Sequence, residues 1–588
     1  MSAIPNPAIV AQSVTRRLPR RILLIFCLAY ILPGFIGRGP WKNADITAFG
    51  YMLELVGGQT PWLAPQILGQ SPEIAGLLPY WLGAWAMQIA PSWLAPDFAA
   101  RLPFMALLAL ALFATWHAVY YLARSPSALP VVFAFGGEAK PKDYARTIAD
   151  GGLLALVASL GLAQFSHETT PAMAQLCFTA VIFYAVAAMP YHAHSSRGLY
   201  LLGLAGLALS GAPSVAMALG LGSLLIFTAD YQLEERKLDA PERMQRVNSS
   251  LSMGVSILCV AVLSSALSLW RWTMTMPDTS WYDYLQAISR LLLWFAWPTW
   301  PLAIWTLWRW RRQYASRHVA LPLWFASVAF ASMLFTHTSD RALLLGLPAL
   351  ATLAAFALPT LERRLSALID WFTLFFFTSI GLLIWGVWIA MQTGVDPKSV
   401  LLVKRLVPGF LPSFSLIPFL IALLGTLAWV WLVIWRVGRH RTAMWKSMVL
   451  PAGGTALCWL LMMTLWLPIL DFARSYAPLV SRVMEIVGKT NCVQVYGLSA
   501  GQVTAFRYHG GLQVLPVSTR GVNDEKAAQT ELLAQTEQPK ANCPWLIVDA
   551  DAEVALGVNV DLRPWKFVTK VRRPSDDNED VLLYRRTE

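Results

Sequence analysis

The chain has 588 residues, 56% of them hydrophobic and 14% charged, with a formal net charge of +12. That balance excludes an ordinary soluble globular protein, because apolar stretches of roughly 17 to 25 residues, the length that crosses a bilayer, recur along it. The positive charge sits mostly in short loops between those stretches, where it is a topology signal and not a nucleic-acid surface.

Taken in order, the chain opens on Arg16, Arg17, Arg20 and Arg21, a basic and disordered-looking N-terminus without a cleavable signal. A first span near 22–37 leads outward into a loop from about 38 to 73, rich in aromatics and prolines. Segment 74–90, interrupted by Pro79, reads as re-entrant or interfacial, and 102–123 as a full span returning to the basic inner loop 124–149. Segments 150–165 and 172–190 flank a short outer loop, Ser166-His167-Glu168-Thr169-Thr170-Pro171. The stretch 199–229 reads as two short helices broken at Leu209-Ser210-Gly211-Ala212-Pro213-Ser214, a break that lines a cavity in many membrane proteins. A charged stretch at 230–249 precedes apolar segments near 250–270, 291–308, 321–336, 342–360, 368–393, 411–435 and 447–470.

Basic loops alternate with less basic ones along this series: Arg309, Arg311, Arg312 and Arg317; Arg363 and Arg364 beside Glu362; Arg436, Arg439, Arg441 and Lys446. Positive-inside logic places these in the cytoplasm and the residues after 470 in the periplasm or exterior. With 74–90 not crossing, the expectation is about 13 spans. The 27 Trp and 37 Pro fit interfacial aromatic belts and interrupted helices.

Two domains are expected: a transmembrane part, 1–470, and a small C-terminal α/β domain, 471–588. Apolar runs at Cys492–Leu498, Leu512–Val517, Pro544–Val548, Trp565–Val571 and Val581–Tyr584 read as strands, with a helix at Asp524–Gln535. Cys27, Cys177, Cys259 and Cys458 fall in apolar segments, where packing is their ordinary role. Cys492 and Cys543 each open a strand-like run; they either form a disulfide in an oxidising compartment or stay as two partly buried thiols.

The outer loop carries Trp41-Lys42-Asn43-Ala44-Asp45, then Met52, Gly57-Gly58, Pro61-Trp62 and Pro65, followed by Leu78-Pro79-Tyr80-Trp81. Farther on come Phe98-Ala99-Ala100-Arg101-Leu102-Pro103, Asp340-Arg341 with Leu343-Leu344 and Pro348, and Leu467-Pro468-Ile469-Leu470-Asp471 with Arg474-Ser475-Tyr476. Together these resemble the membrane glycosyltransferases that use polyprenyl-phosphate sugars, of the GT-C fold. The likeness is to lipid A aminoarabinose transferases, with protein O-mannosyltransferases more distant. Ile46 stands where that family has a Glu, and the family's Lys-Pro-Pro lysine has no counterpart, the Glu73-Ile74-Ala75-Gly76-Leu77 region replacing it.

The resemblance implies an inverting-type glycosyl transfer from an undecaprenyl-phosphate-linked sugar to a lipid, glycan or protein acceptor, at the periplasmic face of a bacterial inner membrane. Lipid A modification is one such use in the cell envelope. Asp45 is the candidate catalytic carboxylate, its other ordinary role being a helix cap. Arg341 is the candidate phosphate ligand, or a lipid-headgroup contact. His167 and Glu168 sit where the family places a second acidic group, or else cap the next span with Thr169 and Thr170. Tyr80 belongs to a matched motif and to the substrate site it implies, and Arg101 reads as structural. Lys404 and Arg405 either meet lipid phosphates or face solvent. Asp45, His167 and Glu168 make a poor metal signature, so no metal site is assigned and a divalent cation is left open. The alternative function is a transporter or flippase of lipid-linked sugars, for which the break at 209–214 is the main support. No paired repeats or scattered intramembrane charges accompany that break.

Overall fold

The computed structural model describes residues 6–234, 239–270, 280–335, 339–437, 443–517, 543–553, 556, 559–575 and 579–587. In chain order the first helices are α1 (Arg20–Ile31), α2 (Ala44–Val56), α3 (Leu78–Ile89), α4 (Pro96–Ala123), α5 (Pro141–Ala158), α6 (Leu160–Phe165), α7 (Pro171–Ala188) and α8 (Ala193–Leu209). There follow α9 (Pro213–Glu234), α10 (Ala240–Ala266), α11 (Trp281–Phe295), α12 (Thr299–Arg309), α13 (Arg317–Leu334), α14 (Ser339–Leu344), α15 (Leu347–Ala357) and α16 (Arg363–Thr393). The last are α17 (Pro397–Leu406), α18 (Leu416–Val437), α19 (Lys446–Met462), α20 (Leu467–Arg474), α21 (Ala477–Val487) and α22 (Ala500–Gly510). Many prolines start these helices instead of breaking them: α3, α4, α5, α7, α10, α15 and α21 carry one in the first turn, where the missing N–H has no helical partner to lose.

Two compact units result, one formed by Met1–Gly37, Glu73–Trp388 and Ser415–Trp466, the other by Arg38–Pro72, Ile389–Phe414 and Leu467–Glu588. The first is a helical bundle centred on α7, which packs between α4 and α8 and is buried along its length except at Tyr184. Gly203 and Gly206 let α8 approach closely, since a Cβ there would lie 2.7 Å from Ile182 and 2.4 Å from the Phe178 ring. Peripheral helices turn apolar side chains outward, among them Leu251 and Leu258 on α10 and Leu416, Ile417 and Leu424 on α18. Among the described residues seven helices are long and apolar enough to cross a membrane, or eight if Lys446–Met462 and Leu467–Arg474 form one span. The chain is a multi-pass helical membrane protein.

Several expected elements differ in detail. The apolar segment 74–90 yields only the 12-residue α3, roughly 18 Å long and too short to cross about 30 Å of hydrocarbon. Segment 291–308 is divided at 296–298 between α11 and α12, and 342–360 holds an 11-residue α15. The stretch 199–229 is not a pair of short helices: α8 has 17 residues and α9 has 22. At the turn between them the carbonyl of Leu209 accepts from Leu77 N at 2.7 Å and that of Ser210 from Gln175 Nε2 at 2.9 Å. The N-terminus from residue 6 is ordered, not loose. Its backbone bonds to the inner loop through Val131 N to Ala8 O at 3.0 Å and Ala139 N to Val10 O at 2.9 Å, and Arg17 pairs with Asp143 at 2.5 Å. The helix expected at Asp524–Gln535 lies outside the described residues, as do Arg439 and Arg441.

The second unit contains a mixed five-stranded sheet of β1 (Cys492–Tyr496), β2 (Gln513–Pro516), β3 (Trp545–Asp549), β4 (Trp565–Arg572) and β5 (Asp580–Arg586), in the order β2-β1-β3-β5-β4. Strands β2, β1 and β3 run parallel; β5 is antiparallel to β3 and β4. Helix α22 forms the β1–β2 crossover and starts at a capping box made by Ser499 and Gln502. A disulfide joins Cys492 to Cys543 with the Cα atoms 5.4 Å apart.

Candidate active site

In the second unit Asp45 stands in the first turn of α2, not in an open loop. Its Oδ2 accepts from Arg38 Nη1 at 2.8 Å and from the backbone N–H of Trp41 at 3.1 Å. Both side chains of the Arg38–Asp45 pair are 2% exposed. The Trp41 indole donates to Asp471 Oδ1 at 2.9 Å, and the N–H of Gly39 reaches the same oxygen at 2.9 Å. The guanidinium carbons of Arg38 and Arg474 lie 4.6 and 5.2 Å from the Trp41 ring centre. Two motifs some 430 positions apart in sequence thus build one network of two carboxylates, two guanidinium groups and an indole, in which Arg38, Trp41 and Asp45 are buried and Asp471 and Arg474 half-buried. Arg38 is the member that sequence reasoning passed over. Its only signal was a cation just beyond the first span, in the loop that carries the acid.

In the first unit Glu168 and Arg341 meet, Oε2 to Nη2 at 3.0 Å. The Arg341 backbone N–H also donates to Asp340 Oδ1 at 2.8 Å, and its guanidinium lies 5.3 Å from the Phe165 ring centre. Burial works against the charge of Arg341, yet Glu168, Asp340 and Glu73 outweigh it and hold the pKa above its ordinary value. Among the described residues its buried Nε has no hydrogen-bond partner. Phe165 also lines an open apolar pocket of about 500 Å³ with Leu160, Gly161, Leu291, Phe295 and the exposed Trp294 and Arg290.

The other sequence candidates divide. His167 is 2% exposed, and its Nδ1 faces Ala163 O at 2.6 Å while Nε2 faces Tyr30 O at 3.1 Å. The ring is wedged against Tyr30, Phe35 and Trp459, so closely that a Cβ on Gly34 would come within 2.1 Å of it. This histidine ties α1 to the start of the Glu168 loop. Tyr80 is buried in α3, with its hydroxyl 3.4 Å from Ile74 O. Arg101 pairs within α4 with Asp97 at 3.0 Å. Lys404 and Arg405 are exposed in the last turn of α17. Among the described residues no group of three or more His, Cys, Asp or Glu could hold a metal ion.

No family model matches the chain, and no curated protein matches it. Solved structures do. ArnT from Cupriavidus metallidurans in the apo state superposes with a TM-score of 0.57 at 15% identity, over 96% of this chain and 98% of that one. The same protein bound to undecaprenyl phosphate gives a TM-score of 0.59 at the same identity and coverage. This chain therefore has the fold of ArnT, the GT-C arrangement that its motifs resemble.

Proposed function

We propose that this protein transfers a sugar from a polyprenyl-phosphate carrier to a lipid, glycan or protein acceptor. The observation that carries the reading is Arg341: a half-buried guanidinium whose buried Nε has no partner among the described residues, stacked on Phe165, a ring that also lines an open apolar pocket. That combination suits a ligand with an anionic phosphate and a long hydrocarbon tail, and ArnT has been solved with undecaprenyl phosphate bound.

In the reaction the acceptor oxygen attacks the anomeric carbon as the bond from that carbon to the phosphate oxygen breaks. The electron pair leaves with the phosphate, and the acceptor proton passes to a carboxylate. One in-line displacement inverts the configuration. We assign the carboxylate to Asp45 and the stabilisation of the departing phosphate to Arg341, with Glu168 fixing the guanidinium plane. His167 and Tyr80 support the walls of the substrate site, and Lys404 and Arg405 meet lipid phosphates at the surface. The basic loops argue for an inner-membrane protein of about 13 spans whose residues 471–588 lie in the periplasm. Transport of lipid-linked sugars has less to support it, since the carbonyls freed at the α8–α9 turn already have partners.

The test uses purified protein in lipid nanodiscs, a labelled polyprenyl-phosphate sugar and a lipid extract. Labelled product should form with the wild type and disappear with Asp45→Asn. Undiminished product from Asp45→Asn, or carrier movement between leaflets without bond cleavage, would refute the assignment.

A further inference from the structure

At the other end of α13 from Arg341, some 27 Å away along an 18-residue helix, lies a cluster that the proposed reaction does not use. Arg317 is the first residue of α13 and is 3% exposed. Among the described residues its guanidinium makes no hydrogen bond or ion pair, and its Nε and Nη1 are closed off from solvent. Two neighbours share the condition: Gln313 Oε1 and His318 Nε2 are likewise buried without partners. A buried, uncompensated guanidinium is costly, and its position aggravates that, because the N-terminus of a helix is itself positive. The N-cap residue, Ser316, supplies no side-chain bond to offset it.

The surroundings add charge of the same sign. Residues 309–317 contain Arg309, Arg311, Arg312 and Arg317 and no acid. Trp308 is 52% exposed, with the guanidinium carbons of Arg309 and Arg311 each 5.7 Å from its ring centre, and Tyr314 is 46% exposed. Exposed Trp and Tyr beside arginines mark the depth of lipid headgroups. We infer that Arg317 and the N-terminus of α13 form a binding site for a phosphate group, supplied by an anionic phospholipid headgroup in the leaflet opposite Arg341. Arg317 meets the phosphate through Nη2, the guanidinium nitrogen that is not closed off, and the helix start contributes the N–H groups of Arg317 and His318, since those of Val319 and Ala320 are paired with the Ser316 carbonyl. A free phosphate ion offers the same chemistry, so the experiment separates the two sources.

Full-length protein is placed in nanodiscs of zwitterionic lipid and its melting followed in three conditions: alone, with phosphatidylglycerol added to the bilayer, and with inorganic phosphate in the buffer. The wild type should melt several degrees higher with phosphatidylglycerol; an equal rise with inorganic phosphate alone would make the ligand the free ion. Arg317→Met removes the uncompensated charge, so it should melt above wild type in zwitterionic lipid and show no rise with either anion. The inference is overturned if neither anion shifts the wild type, or if the shift survives in Arg317→Met, the mark of a general surface-charge effect. Should that variant not fold, native mass spectrometry of the wild type decides. A phospholipid or phosphate adduct retained after detergent washing supports the site, and a bare chain overturns it.

Discussion

Arg38 and Asp45 are both almost wholly buried, so each neutralises a charge the other could not carry alone. Replacing Arg38 with Met strands the carboxylate and should lower the stability of the second unit by about 3–5 kcal/mol, read as an earlier melting transition, with transfer lost. Unchanged melting of Arg38→Met would mean that water already solvates the pair. Arg341 gives a different kind of prediction. Arg341→Lys keeps the charge but loses the planar fork that steadies the departing phosphate, so it should lower kcat about tenfold or more while altering the KM for the carrier less, a difference worth about 1.5–3 kcal/mol for one charge-assisted bond. A raised KM with kcat unchanged would mean that Arg341 binds the carrier without favouring the departure of its phosphate. The roles of His167 and Arg341 could not be told apart from residue type, since both are nitrogen-bearing basic side chains beside an outer loop. Only the fold shows that the imidazole is closed in by two carbonyls whereas the guanidinium keeps a buried nitrogen unpartnered.

Among the elements, the five described strands of the second unit lie within the apolar runs that mark them in sequence, or within two residues of their ends, because a short apolar run between breakers is a local signal whether it alternates, as in β1, or is continuous, as in β3 and β5. Helix α22 went unread although its capping box, Ser499 and Gln502 three positions apart, was a legible start. What hid it was the pattern of its face, shaped by what lies on it: α2 packs there with almost no space to spare. A Cβ on Gly50 would lie 2.0 Å from Thr504 Oγ1, and one on Gly501 would lie 3.0 Å from Thr47 Oγ1. Phe49 meets Tyr508 edge-on at 4.9 Å, and Glu54 pairs with Arg507. The helix that carries Asp45 is thus seated on a specific socket. Gly50→Ala should therefore cost about 1–3 kcal/mol by overpacking and speed hydrogen exchange in residues 44–56. Thr504→Ala should recover most of that loss when the two are combined, because it deletes the hydroxyl the new methyl would strike. Additive losses in the double variant would show that the two helices are not in contact as described.

At the scale of the molecule the chain does not divide where its hydropathy changes. Hydropathy is a running property, and it separates 1–470 from the tail; packing is not, and it gathers Arg38–Pro72, Ile389–Phe414 and Leu467–Glu588 into one unit. No local pattern could announce that a loop near the N-terminus completes a fold built from the last residues. The disulfide between Cys492 and Cys543 fastens one part of that unit, closing a separation of 51 residues, which contributes about 4 kcal/mol on the chain-entropy account. It does not reach residues 38–72. A fragment of residues 471–588 expressed alone would consequently leave the α22 face around Gly501, Thr504 and Tyr508 uncovered and Arg507 without Glu54. Such a fragment should melt with little cooperativity and bind a hydrophobic dye even when its disulfide is formed. Fusing residues 38–72 to it through a flexible linker should restore a cooperative transition, and reversing both charges of the Glu54–Arg507 pair in that fusion should preserve it better than reversing either one. A lone 471–588 fragment as cooperative as the fusion would show that the tail folds without α2. Asp45 would then owe its placement to the short network around Trp41 and Asp471, and not to the socket on α22.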